Sequence, residues 1–236
     1  MIGRWERWGP VSGLLLCATW APMALVIPRL PDLGSAESVQ VFWRANQPLM
    51  QGVILSLSVG FLFLLVFLGA LVELVRSVPG AGAVGWIVLG SAVMFMTALN
   101  VALGLDIAGG LIVDIDSAGT YTLHTAAFLL AAPAALAGAT FFVAIAVFTW
   151  ETGVLPRWSA WLAVVGVAGN VGAVFGILAL TGPLNSGNGI VGGIAAPLGM
   201  YLLWVCSASL WWLRHPLISS EGTRLSLGRS APADQA

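Results

Sequence analysis

An all-α, polytopic membrane protein is the fold class this sequence predicts, on three observations. Hydrophobic residues make up 59% of the 236 and charged residues only 8%, whereas a soluble domain carries about a quarter of its residues charged. Six apolar runs are each long enough to cross a hydrocarbon core, which takes about 20 helical residues. Finally, the arginines collect on alternate connections between those runs. Helix is the conformation lipid requires here, because an open strand edge leaves backbone groups unsatisfied and the runs lack the alternation of a barrel.

The first span is expected near residues 11–27. Its flank "MIGRWERW" is basic, but no small-x-small cleavage site follows "ALVIPRLPD", and "LLLC" puts leucine where a lipoprotein site at Cys17 needs a small residue. The run therefore reads as a membrane anchor. In the next connection, "PDLGSAESVQVFWRANQP", Ser35 is placed to cap a helix. Val39, Phe42 and Trp43 recur at helical spacing, with Glu37, Gln40 and Arg44 elsewhere on the wheel. This predicts a short amphipathic helix lying in the outer interface and ended by Pro48. Five further spans follow near 49–75, 82–105, 121–150, 158–180 and 189–213. Residues 1–214 thus form one transmembrane domain. The stretch 215–236 loses apolar periodicity, gains Ser, Gly and Pro, and is expected to be a disordered tail.

Seven arginines (Arg4, Arg7, Arg76, Arg157, Arg214, Arg224, Arg229) fall on one side of this layout and two (Arg29, Arg44) on the other. The excess predicts both termini in the cytoplasm; the preference for Arg, Ala and Gly is what a GC-rich bacterial genome produces, so the membrane is expected to be a bacterial inner one. Trp5, Trp8, Trp150, Trp158, Trp211 and Trp212 fall at the inner ends, at headgroup depth. Glu73 with Arg76, and Glu151 with Arg157, are spaced to pair there. "ELVRSVPGAGAVGW" and "ETGVLPRWSAW" echo each other, either as an old hairpin duplication or as two solutions to one interface problem.

Lipid gives helices no hydrophobic reason to associate, so small side chains mark the expected seams. These are Gly13, Cys17 and Ala21 in the first span, and Gly52, Ser56 and Gly60 in the second. The fourth offers Ala127, Ala131, Ala135 and Ala139, the fifth Gly172 and Gly176, and the sixth Gly189 and Gly193. "FLFLLVF" is bulky all round and is expected to face lipid. Pro22, Pro133 and Pro197 fall mid-span and are expected to kink their helices.

Composition also excludes chemistry. All nine basic residues are arginine, so a lysine Schiff base, pyridoxal chemistry and a P-loop are ruled out. A net charge of −1 without a basic stripe gives no footprint for nucleic acid. Cys17 and Cys206 lie in apolar runs at similar depth, which indicates buried thiols that become neighbours if the first and last helices touch. No catalytic motif and no cofactor motif is present.

Polar groups in the spans are the default functional candidates. Gln51, Asn100 and His124, capped by Asp106, Asp114 and Asp116, would form an outward-facing polar pocket. There a histidine beside a carboxylate can relay protons or hold a metal, although one histidine is too few for the common three-ligand zinc or a bis-histidine haem. On the alternative reading Asp116 or Ser117 caps the fourth helix and His124 reaches the headgroups. Gln51 and Asn100 then only tie helices together. If His124 is functional, His124→Ala leaves folding nearly intact, whereas a severe loss of expression marks a structural hydrogen bond. Asn170, mid-span in the fifth helix, is expected to make an interhelical hydrogen bond. No charge sits at the centre of any span, which counts against an ion-coupled transporter.

An anchor helix, the segment "SAESVQVFWRANQPLM", a hairpin, a histidine in "TLHTAAF" and the turn "GVLPRWSAWL" together resemble a bacterial family of six-helix membrane proteins described as a domain of unknown function. The resemblance implies architecture only. Two functional readings remain open. One is a non-enzymatic membrane protein that binds a lipid or small molecule, or joins a membrane protein partner or a second copy of itself. The other is proton, metal or headgroup chemistry at His124.

Overall fold

The computed structural model describes residues 2–215, with side chains from Arg7 onward, and every regular element among them is helical. The expected tail at 216–236 and the side chain of Trp5 lie outside the described residues. In order come α1 (Ile2–Trp20), α2 (Met23–Val26), α3 (Ala36–Arg76), α4 (Gly82–Leu111), α5 (Ser117–Thr152), α6 (Arg157–Val174) and α7 (Ala195–Arg214), with short 3₁₀ turns after α2 and α6. Six helical stretches are long and apolar enough to cross a membrane. Large apolar side chains such as Leu55, Leu62, Met94 and Trp161 point outward from the bundle, as lipid-facing positions do.

The segment predicted to be a separate interfacial helix is the beginning of α3. Ser35 accepts a hydrogen bond from the Ser38 N–H at 3.2 Å and starts the helix, which then runs unbroken through Pro48 to Arg76. Pro48 therefore does not end it. Val39, Phe42 and Trp43 are buried inside the protein rather than laid into lipid. At 1.5 Å per residue α3 is about 60 Å long, twice a hydrocarbon core, whereas α6 and α7 are about 27 and 30 Å.

The residues joining α6 to α7 make up the difference. The sixth span was expected from 189, but α7 starts at Ala195, and 182–194 form a chain of tight turns. Gly187, Gly189, Gly192 and Gly193 weaken helix there. They also allow close backbone contact, since a Cβ on Gly192 would meet the Leu184 carbonyl. Pro197 consequently lies in the first turn of α7, not mid-span, and makes no kink. Pro133 sits inside an uninterrupted α5. Of the three expected kinks only Pro22 interrupts its helix, separating α1 from α2.

Close packing follows glycine in several places. Gly13 admits Ser209 and Phe67, Gly60 admits Trp20, and Gly166 admits Phe142. Gly52, expected in a seam, faces open space. "FLFLLVF" is split: Leu62 and Leu65 face out, while Phe61, Leu64 and Phe67 are core. Trp212, expected among headgroups, is buried as well. Neither expected inner-end ion pair forms among the described residues; Arg76 lies instead over the Trp86 ring, 5.5 Å from its centre. The α1–α7 contact brings the Cys17 thiol to the Leu202 carbonyl, 3.5 Å away and one turn from Cys206.

Candidate functional site

The site is built where α3, α4 and α5 meet beneath the connections 27–35, 112–116 and 182–194. The Asp116 carboxylate accepts from the Gly119 N–H at 2.9 Å and begins α5, so His124 comes about two turns inside the helix. The Thr120 hydroxyl donates to the Gly109 carbonyl at 2.9 Å and fixes α5 against α4. Gly110 then leaves room for Trp43, whose ring a Cβ there would strike. Gln47 donates to the Gly110 carbonyl at 3.2 Å and closes the junction from α3.

α4 extends to Leu111, past its expected end at 105, so Asp106 belongs to its last turns rather than to a connection. Its Oδ1 lies 2.5 Å from Nδ1 of His124. His124 is fully buried and Asp106 is 5% exposed. The imidazole stands among Phe128, Phe42 and Trp43, with ring centres 4.8, 5.9 and 6.2 Å away. Trp43 Nε1 is also 3.3 Å from Nδ1. One ring nitrogen has a single in-plane position, and the shorter carboxylate contact occupies it. Trp43 is therefore a packing neighbour that competes for that position. His124 Nε2 is buried without a hydrogen-bond partner, and Asp106 Oδ2 has none among the described residues.

The other expected members do not join. Gln51 is exposed. Asn100 is exposed and donates to the Met96 carbonyl of its own helix at 3.0 Å. Asp114 pairs with Arg44 at 3.1 Å on the exposed surface, where an ion pair contributes at most about 1 kcal/mol, and Asp116 is occupied as a cap. Asn170 is buried but donates to the Gly166 carbonyl of its own helix at 2.8 Å. Its Oδ1 faces Gly138 of α5 across a gap too narrow for a Cβ, so the expected interhelical hydrogen bond is a steric contact. No third His, Cys, Asp or Glu joins His124 and Asp106 among the described residues, which leaves a metal short of ligands.

Asp106 opens onto a narrow cleft, partly open to the outside of the bundle, whose enclosed space is about 30 Å³, room for a water or two. Leu57, Leu99, Leu103, Ala127, Phe128 and Ala131 line its depth, with Met23, Leu30 and Met50 among the residues nearer the connections; Asp106 is the one polar side chain in the wall among the described residues. From Asp106 to Leu99 the cleft follows α4 for about 10 Å. A second void, lined also by Ser186, shares Leu99, Phe128, Ala131 and Ile194 with it. The connections cover this end. Tyr121 donates to the Leu33 carbonyl at 3.0 Å, and Asn185, fully buried, reaches Asp32 at 3.4 Å.

Sequence reasoning missed Trp43, Phe42, Gly109, Gly110 and Asn185. "DIAGG" held one usable signal: a carboxylate just before paired glycines at a helix end marks close approach by other elements. No protein-family model, no curated protein and no solved structure matches the chain.

Proposed function

We propose that this chain is an integral membrane protein of a bacterial cytoplasmic membrane, with both termini inside. On this reading it does no catalysis of its own and binds a lipophilic small molecule in the cleft between α3, α4 and α5. One observation carries the reading: a single buried carboxylate, tied to His124, stands at the head of a cleft that is otherwise apolar. Burying a carboxylate costs several kcal/mol even when it is paired. An aliphatic residue at 106 would serve packing better. A ligand with an apolar body and a polar head uses both features of the cleft.

Native mass spectrometry on protein extracted gently from its own membranes tests this. Wild type should carry a discrete added mass, and Ala102→Leu, which fills the cleft, should lose it. Leu62→Ala on the outer surface is the control and should keep it. A bare chain in all three samples, or a mass equally present in Ala102→Leu, would overturn the proposal.

A further inference from the structure

Arg76 ends α3 and Trp86 lies about one turn into α4, so the hairpin between them brings a guanidinium and an indole together at one end of the bundle. The guanidinium carbon stands 5.5 Å from the centre of the Trp86 ring. The stem of Arg76 crosses Gly85, where a Cβ would come within 3.0 Å of its Cγ. An arginine side chain gives up much rotamer freedom when it is fixed, and here contacts within the protein already hold it at two points. Both residues nevertheless remain exposed.

No carboxylate answers this charge among the described residues. Glu73, one turn back on α3, is exposed and does not pair with Arg76, and the first turn of α4 holds no acidic residue. The ion pairs lie elsewhere, at Arg44 with Asp114 and at His124 with Asp106. The indole ring offers no oxygen to the guanidinium, whose N–H donors keep the fork that matches two oxygens of a phosphate.

Beyond Trp86 the same face of α4 is apolar and open. Trp86, Ile87, Gly90 and Met94 lie within an arc of about 100° around the helix. Ile87 and Met94 are exposed, and a Cβ on Gly90 would meet nothing within 4 Å, so Gly90 is a notch between them. From Trp86 to Met94 the face runs about 12 Å toward the middle of the span. A free anion would use the guanidinium alone. A molecule with an anionic phosphate head and an acyl chain would use the whole surface.

We infer that an anionic phospholipid binds at this hairpin, with its phosphate on Arg76 and an acyl chain against Ile87, Gly90 and Met94. A choline or ethanolamine head carries its own cation beside the phosphate, which an arginine without a carboxylate does not complement. The site is separate from the cleft beside Asp106. It needs only that the bundle stand in a bilayer, whichever leaflet the hairpin meets.

Native mass spectrometry of the full chain in detergent micelles tests this, with phosphatidylglycerol and phosphatidylcholine of the same acyl chains offered in equal amounts. Phosphatidylglycerol should be retained over phosphatidylcholine by about fivefold, the effect of one arginine near a charged head group. Arg76→Gln should bring the ratio close to unity. Trp86→Leu keeps the charge but frees the side chain, and should lower the ratio about twofold or more. Arg157→Gln removes an exposed arginine at the start of α6 and should leave the ratio unchanged. Inorganic phosphate in about a hundredfold excess over lipid should not displace the bound phosphatidylglycerol. No preference in wild type would overturn the site. Equal losses in the Arg76 and Arg157 variants would overturn it too, because net charge alone would then select the lipid. Displacement by phosphate would make this a place for free anions and overturn the lipid assignment, and an unchanged ratio in Trp86→Leu would overturn the part given to the indole. Should Arg76→Gln not fold, the wild-type ratio, Trp86→Leu and the phosphate competition decide.

Discussion

His124 lies about two turns inside α5, fully buried, and shares its Nδ1 with a carboxylate. That changes what its removal should do. His124→Ala leaves Asp106 buried without its partner, and breaking a buried pair costs about 3–5 kcal/mol. Thermal unfolding in a fixed detergent should show a large loss for His124→Ala. The double variant His124→Ala/Asp106→Ala should regain most of it, because no charge is then stranded. Equal losses in the single and double variants would mean that the imidazole contributes packing and no electrostatics. The residue types of this pair were legible in the sequence; the pairing was not. Hydropathy alone puts residue 106 in a connection and residue 124 at headgroup depth, and only the extension of α4 and α5 beyond their expected ends buries them together.

α3 is the element that differs most from its sequence reading. A proline in a helix interior removes one hydrogen bond and strains the preceding turn, for about 3 kcal/mol relative to alanine. Pro48 is exposed within an unbroken helix, so Pro48→Ala should raise the melting temperature without loss of packing. A decrease would show that α3 needs a weak point between its first turns and its span. The amphipathic edge Val39, Phe42 and Trp43 is buried as its spacing predicts, but against protein instead of lipid. Periodicity reports that one face leaves water; it does not say whether lipid or protein receives it. Gly110, which admits Trp43, decides that here.

Across the whole molecule, the alternation of arginines predicts a sidedness that reporters can check. Fusions near Gly80 should report the cytoplasm and fusions within 112–116 the exterior; the reverse would overturn the orientation. The α1–α7 contact joins the two ends of the bundle at Cys17 and Leu202, one turn from Cys206. A short bifunctional thiol reagent should therefore join Cys17 to Cys206 within one chain. Joining only between chains would contradict the closed bundle.

Read alone, the amino-acid order already requires a helical chain, sets how many helices can cross a membrane, and marks the polar residues worth watching. Hydropathy and helical period are local quantities, and lipid leaves a backbone few alternatives. Which polar residues meet depends on packing in three dimensions. His124 and Asp106 converge because Gly109 and Gly110 let three helices approach at one level, while Gln51 and Asn100, at similar depth, turn outward. A rotation of a few tens of degrees about a helix axis separates the two outcomes, and that angle is set by contacts between distant segments.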